Sequence, residues 1–136
     1  MSQILAMLPD SLVAKWNVVV SVAALFNTVQ SFLTPKLTKR VYSNTNEVNG
    51  LQGRTFGIWT LLSAIVRFYC AYHITNPDVY FLCQCTYYLA CFHFLSEWLL
   101  FRTTNLGPGL LSPIVVSTVS IWFMAKEKAS ILGIAA

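Results

Sequence analysis

His93 and Glu97 stand four residues apart in "CFHFLSEW", a spacing that puts both side chains on one face of a helix. An imidazole beside a carboxyl is the smallest acid–base pair a protein can offer, and burial moves a carboxyl toward the range where it exchanges protons near neutrality. Two arginines lie in the apolar stretch "GRTFGIWTLLSAIVRFYCAY", Arg54 near its start and Arg67 deep within it. A cation among apolar residues calls for a partner, and Glu97 is the acid within the next apolar run. The remaining repertoire is thin. Two histidines, His73 and His93, cannot build a many-histidine iron site, and there is no HExxH, GxGxxG, GxSxG or P-loop pattern. No cofactor or metal is implied.

The elements that must position these groups follow from composition. Of 136 residues, 56% are hydrophobic and 10% charged, against about 25% charged in a soluble domain. Four apolar runs stand out, at about 14–33, 55–72, 79–101 and 110–125. About 20 residues at helical rise cross a hydrocarbon core of roughly 30 Å. The first three runs meet that length and the fourth is short, with Ser112 and Pro113 as its expected cap and first residue. No run alternates with period two, so a β-barrel is disfavoured. The expectation is an all-α integral membrane four-helix bundle, one domain over 1–136. The polar loop of residues 34–53 is expected to be its sizeable aqueous segment, and 73–78 a tight turn. Lys36, Lys39, Arg40, Arg54 and Arg102 flank the first and third loops, against Lys15, Lys126 and Lys128 on the other side, which favours a cytosolic placement of those loops.

Depth then sorts the polar residues. Arg67 lies about 7–8 Å from the turn at Tyr72, and Glu97 about 27 Å from the same side, so they do not meet. Arg54 shares Glu97's level, and an Arg54–Glu97 ion pair is expected. Asn27, Gln30 and His93 fall near it, making a cluster of Asn27, Gln30, Arg54, His93 and Glu97. Arg67 is expected in the other leaflet with Asn17, Gln84 and Ser120, or reaching toward phosphates. Interhelical polar contacts also simply hold bundles together, and Gly53 and Gly57 match the small-xxx-small pattern for close helix approach. Trp16, Trp59, Trp98 and Trp122 fit interfacial belts and core packing equally.

Other readings narrow the partners. The net charge of +4 comes without a basic patch interleaved with aromatics, so nucleic acid is not indicated. Cys70, Cys83, Cys85 and Cys91 fall in apolar runs with no disulfide framework and read as small buried hydrophobes. The N-terminal segment lacks a basic n-region and is expected to be retained. On the residues alone, three functions stay open: an assembly protein, a small membrane isomerase using His93 and Glu97 on a lipid held between helices, and a lipid carrier with a cleft between helices.

The strings "RTFGIWTLLSAIVRFYCAY", "CFHFLSEWLLFRTTNLGPG" and "PIVVSTVSIWFM" resemble the fungal ergosterol biosynthetic protein 28 family, as do "SVAALFNTVQSF" and "LTKRVY". The matching motif residues are Arg54, Thr55, Phe56, Gly57, Trp59, Thr60, Arg67, Phe68, Tyr69, Phe92, His93, Phe94, Ser96, Glu97, Phe101, Arg102, Thr103, Ser117, Thr118 and Ser120. The resemblance implies a multi-pass endoplasmic reticulum protein without catalytic activity. It implies a scaffold that tethers the sterol C-4 methyl oxidase, the C-3 sterol dehydrogenase/decarboxylase and the 3-keto sterol reductase. Membrane lipid, and with it sterol, would be a further partner, and a homo-oligomer is compatible with the small-residue faces.

Overall fold

The computed structural model describes residues 2–134, and the chain is helical with no strand among them. Six helices follow in order: α1 (Ser2–Ala6), α2 (Leu12–Leu33), α3 (Lys36–Val41), α4 (Gly50–Tyr72), α5 (Pro77–Leu99) and α6 (Pro108–Leu132). Local chemistry sets their starts. The Ser11 side chain accepts from Ala14 N to open α2, Asn49 accepts from Gln52 N to open α4, and Asn76 accepts from Asp78 N and Val79 N to open α5. In each case a short polar side chain satisfies N–H groups the first turn leaves free. The Asn49 cap starts α4 five residues before the expected Thr55, which places Gly53 inside the helix.

The fourth run is longer than expected. Gly107 and Pro108 open α6, with Pro108 in its first turn, so Pro113 lies inside the helix rather than at its start. The helix then continues through "KEKASIL" to a left-handed Gly133, where Ile134 N bonds back to Ala129 O. Its 25 residues cover a bilayer where the run 110–125 alone would not. Among the described residues α2, α4 and α6 are long and apolar enough to cross a membrane. Helix α5 has the length, 23 residues, but carries a stripe of polar side chains that lowers its mean hydropathy.

Successive long helices run antiparallel. Thr28 Oγ1 lies 3.1 Å from Gly57 O, Arg67 reaches Thr86, and Tyr80 Oη donates to Met124 O at 2.6 Å. Helix α2 packs chiefly on α4, α5 on α6, and α4 on α5. The α2–α4 seam is closest at Gly57, where a Cβ would stand 3.1 Å from the Phe32 ring and 3.3 Å from Ser31 Cβ, so the small-xxx-small pair lies at a helix interface.

The loop of residues 34–53 is not simply aqueous. Helix α3 folds it back over the end of the bundle, burying Thr38, Tyr42 and Val48. A Cβ on Gly109 would come within 2.5 Å of Arg40 O, so α3 rests directly on the first turns of α6. Two cores result, stacked along the bundle. Val13, Val20, Cys70, Tyr80, Cys83, Tyr87 and Met124 form one toward the termini. Tyr42, Val48, Phe56, Phe94 and Leu110 form the other beneath α3. All four cysteines are free, with Cys70 and Cys83 buried and Cys85 and Cys91 only half-buried.

Gly109→Ala tests the α3 contact, because the added methyl meets backbone rather than a yielding side chain. Amide hydrogen exchange in detergent should show α3 opening at least about fivefold faster, on the order of 1–3 kcal/mol for overpacking, with α5 unchanged. Unaltered α3 protection would contradict the contact.

Candidate functional site

Arg67 is 7% exposed and sits among helices rather than on the outer surface of the bundle. Its Nε donates to Thr86 Oγ1 at 3.0 Å and its Nη2 to Thr86 O at 3.3 Å, while the guanidinium carbon lies 4.2 Å from the centre of the Tyr87 ring. The Tyr87 hydroxyl donates to Asn17 Oδ1 at 2.6 Å, and Cys83 Sγ lies 3.7 Å from the same oxygen. Arg67 and Asn17 are thus joined through Tyr87 and not directly. Gln84 is buried nearby in the chain, but the Arg67 hydrogen bonds go to Thr86 and not to it. Ser120 is taken by Trp16, whose indole N–H donates to it at 2.8 Å.

The five-residue cluster expected at the other end separates into two groups. On α2, Gln30 Nε2 donates to Asn27 Oδ1 at 2.7 Å and to Ser31 Oγ at 3.0 Å, and Asn27 Nδ2 donates to Thr60 Oγ1 at 3.2 Å. Ser31 and Thr38 hydroxyls, 3.3 Å apart, carry this network to α3. On α5, His93 Nε2 lies 2.8 Å from the Tyr42 hydroxyl, and the Glu97 carboxylate accepts from the Thr103 hydroxyl. His93 is also ringed by Trp59 and Phe94, each with centroids 5.0 Å away.

The expected Arg54–Glu97 pair does not form. Arg54 is exposed and its guanidinium folds back over Gly50 at the start of α4. Glu97 sits in the last turn of α5 and turns to the chain that follows, where Thr103 N also bonds Glu97 O at 2.9 Å. Helix depth placed both residues at one level, but depth fixes height and not azimuth. Arg102 there takes a left-handed φ of 56°, and its carbonyl accepts from Asn44 Nδ2 at 2.7 Å.

The residues sequence reasoning missed are Tyr42, Thr38, Thr86 and Tyr87. Tyr42 had a signal, the one aromatic residue in the loop of residues 34–53. Burial, with the Glu97 carboxylate adding to it, pushes its phenol well above the ordinary range, so the hydroxyl stays protonated beside His93. Thr86 and Tyr87 had none, since threonine and tyrosine are unremarkable in an apolar run.

Between the two cores lies a cavity of about 540 Å³, bounded by α2, α4, α5 and α6 and closed at one end by α3. Its walls include Val20, Ala24, Phe56, Trp59, Ala90 and Val116, and Arg67 opens onto it. A second, shallower hollow of about 400 Å³ on the α4–α5 surface holds His93, Glu97 and Phe92.

Residues 13–122 match the family described as Erg28 like protein. The chain belongs to that family. It is 50% identical over 114 residues to ergosterol biosynthetic protein 28 of Candida albicans, covering 83% of each chain. It is 39% identical over 133 residues to ergosterol biosynthetic protein 28 of Saccharomyces cerevisiae, 96% of this chain and 90% of that one. The human ergosterol biosynthetic protein 28 homolog is 45% identical over 108 residues, 78% of this chain and 77% of its own. No solved structure matches.

The residues that carried the Erg28 resemblance fall into two sets. Phe56, Gly57, Phe94, Ser117 and Ser120 are buried, Trp59 packs on the core beneath α3, Ser96 donates to His93 O at 2.8 Å, and Thr103 holds Glu97. Thr55, Phe68, Tyr69, Phe92, Phe101, Arg102 and Thr118 are exposed.

Tyr42→Phe removes the hydroxyl from His93 while keeping the ring among Phe56 and Phe94. Thermal unfolding in detergent should show a loss of about 1 kcal/mol, the net worth of one hydrogen bond. Arg54→Gln should be neutral within about 0.5 kcal/mol, as for other surface changes. A larger loss at Arg54 than at Tyr42 would contradict this geometry.

Proposed function

We propose that this chain is a non-catalytic scaffold of the endoplasmic reticulum membrane in ergosterol biosynthesis. It tethers the sterol C-4 methyl oxidase, the C-3 sterol dehydrogenase/decarboxylase and the 3-keto sterol reductase. The names of its relatives support the pathway. The observation that carries tethering is the outward set of motif residues: Phe68 is 50%, Tyr69 53% and Phe92 71% exposed. Large aromatic side chains that turn half or more of their surface outward are suited to meet another helix in the membrane. One shared anchor would raise the effective concentration of enzymes that pass on poorly soluble intermediates.

The four long helices cross the bilayer as one bundle, with the first and third loops toward the cytosol. Helix α5 crosses because its polar stripe is turned inward, where Tyr80, Tyr87 and Thr86 all find partners. Such satisfied groups no longer oppose burial in lipid. The reading as an isomerase is weaker, since His93 is engaged by Tyr42 and Glu97 by Thr103. The same apolar surface accommodates a second copy of the chain.

Co-purification of the three enzymes with the tagged chain tests the scaffold. The variant Phe68→Ala/Tyr69→Ala/Phe92→Ala should recover at most about one tenth of the enzymes, as for loss of interface anchors worth about 1.4 kcal/mol or more, with its own melting temperature kept. Glu97→Gln should leave recovery unchanged. Full recovery with the triple variant, or sterol turnover by the purified chain that Glu97→Gln abolishes, would overturn the reading.

A further inference from the structure

The cavity between the two cores is mostly apolar, with neutral polar side chains of Asn27, Thr60, Ser63 and Ser117 on its walls. Arg67 is the buried charge that enters it. A guanidinium has five N–H donors, and Arg67 spends two of them on Thr86. The guanidinium also lies over the face of Tyr87, and no carboxylate is bonded to it among the described residues. A buried cation without an anion is costly in lipid. Here the missing charge faces an open space rather than a packed wall.

The space has a definite size and shape. From Phe56 to Arg67 along α4 it extends about 16 Å at helical rise, and its volume of about 540 Å³ falls in the range that buries one small ligand. It is too small for a lipid with two acyl chains. Its walls combine alanines, Ala23, Ala24 and Ala90, with the rings of Phe56, Trp59 and Phe94. A second cation, Arg40, stands at the α3 end but is exposed to water. The interior therefore carries one positive charge, which one monoanion balances and a dianionic phosphate monoester would exceed.

We propose that this cavity binds a single lipid monocarboxylate, its apolar body lying along α2 and α6 and its carboxylate on the free donors of Arg67. Either a fused-ring steroid acid or a single acyl chain has the required chemistry. Entry is lateral, between α2 and α6, which are more loosely joined than the α2–α4, α4–α5 or α5–α6 pairs. The site goes beyond the tethering function and stands whether or not the enzymes bind this chain.

The purified full chain in neutral-lipid nanodiscs is titrated with lithocholate, oleate, ergosterol and inorganic phosphate, reading affinity and stoichiometry. One equivalent of lithocholate or oleate should bind, and whichever is tighter identifies the body as fused-ring or acyl. Arg67→Gln should weaken that acid at least tenfold, the scale of one charge-assisted hydrogen bond, whereas Arg67→Lys keeps most of the affinity. Ala90→Phe fills the cavity while leaving Arg67 itself unchanged and should abolish binding, which keeps the test decisive if Arg67→Gln fails to fold. Ergosterol binding as tightly as either acid, phosphate binding alone, no binding at all, or acids indifferent to both the Arg67→Gln and Ala90→Phe changes would each overturn the proposal.

Discussion

Tyr87 is where three helices are tied. Its hydroxyl is held by Asn17 of α2, and its ring lies under Arg67 of α4, which in turn holds Thr86 beside it on α5. In a hydrocarbon medium there is no water to take over these bonds, so separating the helices would strand several polar groups at once. Such contacts average well under 2 kcal/mol each, yet they select one rotation of each helix. Lipid-facing apolar packing cannot make that choice, because lipid tails serve an apolar side chain as well as a neighbouring helix does. Asn17 still leaves its Nδ2 unpartnered, so the tie is not completely satisfied.

The two cores follow from that constraint. Toward the termini, Tyr87, Tyr80 and Met124 fill the space around the tie. At the far end, Tyr42 is carried in by α3 and packs edge-on to Phe56 and His93. Between them α2 contributes alanines and the bundle is left hollow. Helix α3 can close that end only because Gly109 lets the Arg40 backbone rest on α6. A short helix in a connecting loop thereby becomes the floor of a cavity, and the anchoring surface and the interior space belong to one arrangement.

Much of this was legible in the sequence. Hydropathy alone locates α2 and α5 to within a few residues, but the Asn49 cap starts α4 well before Thr55, Pro108 starts α6 early, and the chain past Lys126 stays helical. Helical rise separated Arg67 from Glu97, and it placed Asn27 and Gln30 together. It failed for Arg54 and Glu97 because height along a helix says nothing of which way a side chain turns. The cavity had no sequence signal, since a hollow is a property of several helices together. Nor did the role of Thr86, a residue that only the neighbouring arginine makes important.

The account depends most on α5 lying across the membrane with its polar stripe inward, although among the described residues it is the one long helix whose composition alone does not mark it as a crossing. Counting crossings tests this directly. Glycosylation acceptors fused before Ser2 and after Ile134 in separate, otherwise full-length chains report the side of the membrane each end occupies. Four crossings put both ends on the same side, and the account predicts that both acceptors are modified or neither is. If one end is modified and the other is not, the number of crossings is odd, α5 lies outside the bilayer, and the tie at Tyr87 cannot be an intramembrane one.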